Sequence, residues 1–159
     1  MRFPYLATTG STPIPSLGGS RTRPRPIIAV RVAGPAGSHF IDGVLDTGSD
    51  ETVFEDWLAK LLGFDLTQAV HRDIGLVGRA HPVRVKYVPV NLRVTDGANE
   101  ICEWSALIGF TATKLRYPLF GFAGFLQFFD ADFHGGDCEV LLSPNKNFPG
   151  TVTAVPTKP

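Results

Sequence analysis

Two runs rich in β-branched and aromatic residues, IIAVRVA at 27–33 and HFIDGVLD at 39–46, flank the tetrapeptide Gly34-Pro35-Ala36-Gly37. Branched side chains suit a pleated surface, while Gly and Pro supply turn geometry, so this segment predicts an antiparallel β-hairpin and commits the chain to sheet. Further along, residues 81–95 alternate Val83, Val85 and Tyr87 with Arg84, Lys86 and Val88, which is the period of two expected of a strand. Residues 99–108 and the stretch CEVLL at 138–142 extend the pattern, the latter after a turn at His134-Gly135-Gly136-Asp137. Helical spacing is clear in EDWLAKLLG, where Trp57, Leu58, Leu61 and Leu62 share a face and Gly63 stands at the C′ position. Ala123 to Phe129 is apolar nearly all round and predicts a second, buried helix. Roughly ten short β segments with two short helices, and no internal repeat, predict a mostly antiparallel β barrel or sandwich.

The 159 residues carry 15 basic and 15 acidic side chains and are 43% hydrophobic, enough for a core and without the positive excess of a nucleic-acid binder. No run approaches the roughly 18 apolar residues of a membrane span, and Met1–Gly10 has no secretory-leader pattern, so a cytoplasmic chain is expected. Residues 1–26 hold five prolines and four arginines (Arg2, Arg21, Arg23, Arg25) and no acid, which predicts a flexible arm. The folded domain is then expected over 27–148, mildly acidic with 11 basic against 15 acidic residues from position 27 on, followed by a flexible tail at 149–159. Cys102 and Cys138 are too few for a disulfide scaffold and lack CxxC spacing, so both are expected as reduced, buried thiols. His39, His71, His81 and His134 are scattered without metal-ligand spacing, and neither a metal nor an organic cofactor is expected. The concentration Phe120, Phe122, Phe125, Phe128 and Phe129 reads as core.

Chemistry concentrates in VLDTGSD, Val44 to Asp50. An acid at the end of an apolar strand, followed by Thr, a permissive Gly and a small hydroxyl residue, can hold a carboxylate in a tight loop; an ordinary Asx turn uses the same residues. Two more elements follow in order. Asp73-Ile74-Gly75-Leu76-Val77-Gly78 is a glycine-containing hairpin tip, and Leu119-Phe120-Gly121 is an apolar-apolar-Gly strand end. A serine hydrolase reading of Ser49 fails for want of a GxSxG elbow.

With these three elements, residues 27–142 resemble the retropepsin-like (retroviral-type) aspartic protease family, in particular its cellular and bacterial single-domain members. The resemblance implies a closed acid-protease-type all-β barrel that forms a homodimer and cleaves a peptide or protein substrate. It implies that Asp46 is the catalytic carboxylate, that Thr47 locks the two loops together across the dimer, and that Gly48 offers backbone donors. It further implies that Ser49 bonds the outer carboxylate oxygen and that Leu119-Phe120-Gly121 threads behind the catalytic loop, with Gly121 among the residues that support it. Ile74, Gly75, Leu76, Val77 and Gly78 would form the substrate-covering flap, and Val44, Ile74 and Val77 would build hydrophobic walls. Such chemistry needs two aspartates sharing one proton, and a chain with one D-T-G motif must obtain the second from another copy.

The chain departs from the family at Phe122-Ala123, where most members have Arg followed by Asp or Asn. Asp50 is thereby left without its usual partner and must be solvated or find another cation, such as Arg79 or an arginine of the N-terminal segment. The same departure favours the alternative of a catalytically silent retropepsin-like dimerisation or peptide-binding module. A β-rich structural domain with no site is the third possibility.

Overall fold

In the computed structural model, which describes residues 1–75 and 81–156, the strands in chain order are β1 (Arg2–Pro4), β2 (Leu6–Ile14), β3 (Ser20–Arg25), β4 (Ile27–Gly34), β5 (Gly37–Leu45) and β6 (Val53–Glu55). The helix α1 (Asp56–Leu61) follows directly, then β7 (Val70–Ile74), β8 (Val83–Thr95), β9 (Glu100–Thr111), β10 (Leu119–Phe120), β11 (Phe129–His134), β12 (Glu139–Pro144) and β13 (Thr151–Ala154). The expected hairpin at Gly34–Gly37 joins β4 to β5, in register from Ile27↔Val44 to Gly34↔Gly37. β5 lies parallel to β10, β10 antiparallel to β6, and β6 parallel to β9. β9 then pairs with β8 and β8 with β4, so six strands close on themselves in a barrel. Closure leaves these strands no free edge across the ring.

Alternation along the barrel strands sends one side of each inward. Val30, Val32, Ile41, Val90, Leu92, Val94, Ile108 and Phe110 are all buried and belong to one core cluster. Phe54, Phe110, Phe120 and Phe125 are fully buried, each stabilising the fold by roughly 1.5–3 kcal/mol through burial alone. Phe54 meets Phe110 and Phe120 edge-on at 5.8 and 5.9 Å, and Trp104 meets Phe125 at 5.3 Å, arrangements that the ring quadrupoles favour. Trp104 also donates its indole N–H to the Gly124 carbonyl at 3.1 Å, so its one polar atom is satisfied.

Several expectations need correction. Residues 1–26 are not an unstructured arm. Arg2–Pro4 pairs with β12 from Arg2↔Leu141 to Pro4↔Glu139, Phe3 enters the core at 8% exposure, and Leu6–Ile14 pairs with Ser20–Arg25 as a two-stranded ribbon. A ribbon standing off the core buries neither face, so it has no apolar alternation to read. The C-terminal segment is likewise paired: Thr151–Ala154 lies along the outer edge of β9, from Thr151↔Glu103 to Ala154↔Glu100. Helix α1 ends as expected at Gly63, whose φ of 76° suits a residue without Cβ. It buries Leu58, Ala59 and Leu62, however, and leaves Trp57 and Leu61 half exposed, because its phase is set by the immediately preceding buried pair Val53 and Phe54. The second helix shrinks to a single 3-10 turn, Leu126–Phe128, since Gly124 at φ 89° breaks helical geometry just ahead of it. Phe120, Phe125 and Phe129 are core as expected, whereas Phe122 is 61% exposed. Cys102 is buried and Cys138 is only partly so; both are free thiols.

Candidate active site

β5 delivers the chain to Asp46, and β6 takes it away from Thr52. The short strand β10 is wedged between these two, pairing Leu119 with both Val44 and Val53. Beyond the wedge the 118–123 segment continues to bond the loop. The Asp46 N–H donates to the Phe120 carbonyl at 3.1 Å, the Phe122 N–H to the Ser49 carbonyl at 2.9 Å, and the Ala123 N–H to the Asp50 carbonyl at 2.9 Å. The Thr52 N–H completes the clamp on the Ala123 carbonyl at 2.9 Å. Backbones this close leave no room for a side chain at position 121, where a Cβ would stand 2.8 Å from the Ser49 carbonyl oxygen. The apolar-apolar-Gly element thus lies against the loop.

Within the loop, the Gly48 N–H donates to Asp46 Oδ1 at 3.0 Å and the Ser49 N–H to the Asp46 carbonyl at 3.1 Å. Asp46 is half-buried, and Thr47 and Gly48 are exposed. The Ser49 hydroxyl differs from expectation. It donates to the Glu51 carbonyl at 2.8 Å and so braces the loop's own backbone rather than the Asp46 carboxylate. Asp50 is exposed, which resolves its missing arginine by solvation.

Asp46 opens onto a cleft of about 500 Å³ that also takes in Ile74 and Gly75 from the end of β7, and Leu115, Arg116 and Leu119 from the segment leading into β10. β7 and β8 pair antiparallel, in register from Val70↔Tyr87 to Ile74↔Val83, on either side of the segment expected as a flap. Leu76, Val77, Gly78 and Arg79 lie outside the described residues. The walls are more polar than expected, with Ile74, Leu115 and Leu119 supplying the apolar part and Val44 paired behind Leu119. Arg72, Lys114 and Arg116 bring positive charge to the same cleft as Asp46, Asp50, Glu51 and Asp73.

Two of these acids are already committed. Asp73 is paired with Arg84 at 3.0 Å, whose hydrogen bond holds the Asp73 carboxyl below its usual range. Glu51, only 16% exposed, pairs with Arg72 at 3.2 Å and accepts a hydrogen bond from the Tyr87 hydroxyl. Burial, reinforced by the hydrogen bond and charge of Glu51, pushes the Tyr87 phenol well above its ordinary value. Neither acid is therefore placed to share a proton with Asp46. Glu51, Arg72 and Tyr87 were not singled out from sequence. Their only signal is the alternation that turns Tyr87 inward, since the partners are 36 residues apart in the chain. His134, Asp137 and Glu139 bring their donor atoms within 4.8 Å of one another at the β11–β12 turn, so His134 is less isolated than its sequence spacing indicates; Glu139 is held there by Arg2 at 3.0 Å. Among the described residues no helix is long and apolar enough to cross a membrane.

No protein-family model matches the chain, and no curated protein matches it. Among solved structures, EIAV protease complexed with the inhibitor HBY-793 is similar, at a TM-score of 0.42 and 17% sequence identity over 61% of this chain and 81% of that one.

Proposed function

We propose that the chain is an aspartic endopeptidase that works as a homodimer, with the twofold axis passing between two Asp46 loops. The observation that carries this reading is the disposition of Asp46: a half-exposed carboxylate at a strand end, bonded by the Gly48 N–H, clamped from behind by Leu119–Gly121 and facing a cleft under a β-hairpin. Two such carboxylates about 3 Å apart share one proton, because both cannot ionise cheaply at that distance. The ionised member takes a proton from water, which attacks the scissile carbonyl, while the protonated member donates to the carbonyl oxygen. The proton taken from water then passes to the leaving amine as the C–N bond breaks, a gem-diol hydroxyl returns its proton to the other carboxylate as the product carboxyl forms, and the dyad again holds one proton. The exposed Thr47 is free to reach the partner's loop, and the β7–β8 hairpin would cover an extended peptide.

The test is cleavage of a diverse peptide library by the wild-type chain and Asp46→Asn across acidic to neutral pH, with mass followed by light scattering. Turnover by a wild-type dimer, abolished in a folded Asp46→Asn, is the expected result; unchanged turnover in that variant would sink the mechanism. The exposed Phe122, in place of the family's arginine, favours a second reading as a peptide-binding module without catalysis. Peptide binding with no cleavage, unaffected by Asp46→Asn, would select it.

A further inference from the structure

Two arginines oppose each other on the outside of the barrel. Arg31 of β4 and Arg93 of β8 are direct register partners, and their chain neighbours Val32 and Leu92 are buried, so alternation turns both guanidinium groups outward. Directly opposed side chains hold their Cβ atoms about 4.5–5.5 Å apart, and like charges in that position destabilise a sheet. Glu103 on β9, next in the same row, reaches Arg93 at 3.6 Å but is 54% exposed, so the row keeps two positive charges against one negative. The adjoining row, Ala33, Asn91 and Ser105, is small and neutral, and with Arg31, Arg93 and the Glu103 paired to Arg93 it lines a hollow of about 420 Å³. None of its lining residues belongs to the Asp46 cleft.

Two residues beside the hollow flank Arg31. Arg31 Nε donates to Ser38 Oγ at 2.8 Å, which orients the guanidinium through the one nitrogen that does not point along its fork. On the other side of Arg31, its β5 register partner Phe40 presents a ring that is 65% exposed. Two guanidinium groups flanked by the amide of Asn91 and the hydroxyl of Ser105 suit a tetrahedral dianion, which can accept from several directions at once; a planar carboxylate is satisfied by one arginine. We propose that this outer face of the barrel binds the phosphoryl group of an aryl phosphomonoester, with Arg31, Arg93, Asn91 and Ser105 on the phosphoryl oxygens and the organic part against Phe40. The site is independent of the proposed peptidase activity.

Titration of the full chain with phenyl phosphate and with inorganic phosphate, followed by calorimetry and by the shift in thermal midpoint, tests this. Saturable binding of phenyl phosphate is expected, at least tenfold weaker in Arg31→Gln and in Arg93→Gln and severalfold weaker in Phe40→Ala. In phosphate-free buffer both arginine variants should melt close to the wild type, since each gives up one exposed contact, with Ser38 or with Glu103, and is relieved of a like-charge repulsion of similar size, which separates loss of binding from loss of fold. Binding that fails to saturate, or that is unchanged in both arginine variants, overturns the site. Equal affinity for the ester and inorganic phosphate, with Phe40→Ala silent, overturns the assignment of an aryl ligand.

Discussion

Tyr87 donates a hydrogen bond from its hydroxyl to the carboxylate of Glu51, tying the second strand of the β7–β8 hairpin to the exit of the Asp46 loop. Arg72, on the first strand of that hairpin, grips the same carboxylate at 3.2 Å. One half-hidden acid therefore holds both strands of the β7–β8 hairpin against the loop that bears Asp46. Tyr87→Phe removes one of these holds and leaves the other. It is expected to lower stability by about 1.5–3 kcal/mol, the range for a hydrogen bond to a charged group. Urea unfolding with an unchanged slope is the measurement, and an unshifted midpoint would show that the contact contributes nothing.

The same pair predicts an alkaline limit. The folded-state pKa of Tyr87 lies above its unfolded value, near 10, so below about pH 10 both states hold the proton and the contribution to stability is complete. As pH rises beyond that, the unfolded chain ionises while the folded one does not, and stability falls until the folded value is reached. A melt series from neutral to alkaline pH should show this decline in the wild type and a shallower one in Tyr87→Phe. Parallel curves would exclude Tyr87 as the source.

How much of this was legible in the residues depends on the range of the interaction. The β4–β5 hairpin, the Gly63 helix stop and the long strands β8 and β9 follow from local periodicity and turn chemistry, and they form as read. The D-T-G-S loop and Leu119-Phe120-Gly121 are short motifs, and the fold brings them into backbone contact. Strand β1 could not be read, because its order depends on Asp96 and β12, each far away in sequence. The Ser49 hydroxyl was misjudged for a related reason: a carbonyl two residues on competes for it, and residue type alone does not decide between acceptors.

Asp96 offers an acid-side counterpart. Its partial burial would raise its pKa, but the N–H groups of Asn99, Ala98 and Arg2 at 2.9, 3.1 and 3.1 Å, with the Asn99 side-chain amide at 2.6 Å, outweigh this and hold the carboxyl well below the usual range. A depressed folded value means that the contribution is present above the unfolded pKa, near 3.9, and is lost as pH falls through the folded one. Asp96→Asn should therefore cost about 1 kcal/mol at neutral pH, with the deficit shrinking in acid. Hydrogen exchange should show β1 opening more readily in the variant, since the Arg2 N–H loses a charged acceptor. A deficit that is constant down to strongly acidic pH would refute the assignment.

Phe3 tests whether the N-terminal strand belongs to the domain. It is 8% exposed and packs in the main core cluster, so Phe3→Ala should destabilise by about 3–5 kcal/mol, as for other buried aromatics. The variant should also weaken the β1–β12 pairing. A change below about 0.5 kcal/mol, the scale of a surface substitution, would restore the view of residues 1–26 as an arm.

Gly121 separates the architecture of the loop from its chemistry. A Cβ there would meet the Glu51 carbonyl and, at 2.8 Å, the Ser49 carbonyl oxygen, both of them backbone atoms that cannot rotate aside. Gly121→Ala must therefore push the 119–123 segment away from the Asp46 loop, stretching the bonds from Asp46 N–H to Phe120 and from Phe122 N–H to Ser49. Overpacking of this kind costs about 1–3 kcal/mol, and it displaces the carboxylate that the proposed paired mechanism requires to within a fraction of an ångström. A folded Gly121→Ala with a lowered melting point and at least tenfold lower peptide turnover is expected, with KM changed less than kcat because the cleft walls at Ile74 and Leu115 lie on other segments. Wild-type stability in this variant would mean that the third element does not press against the loop, and the clamp on Asp46 would have to be abandoned.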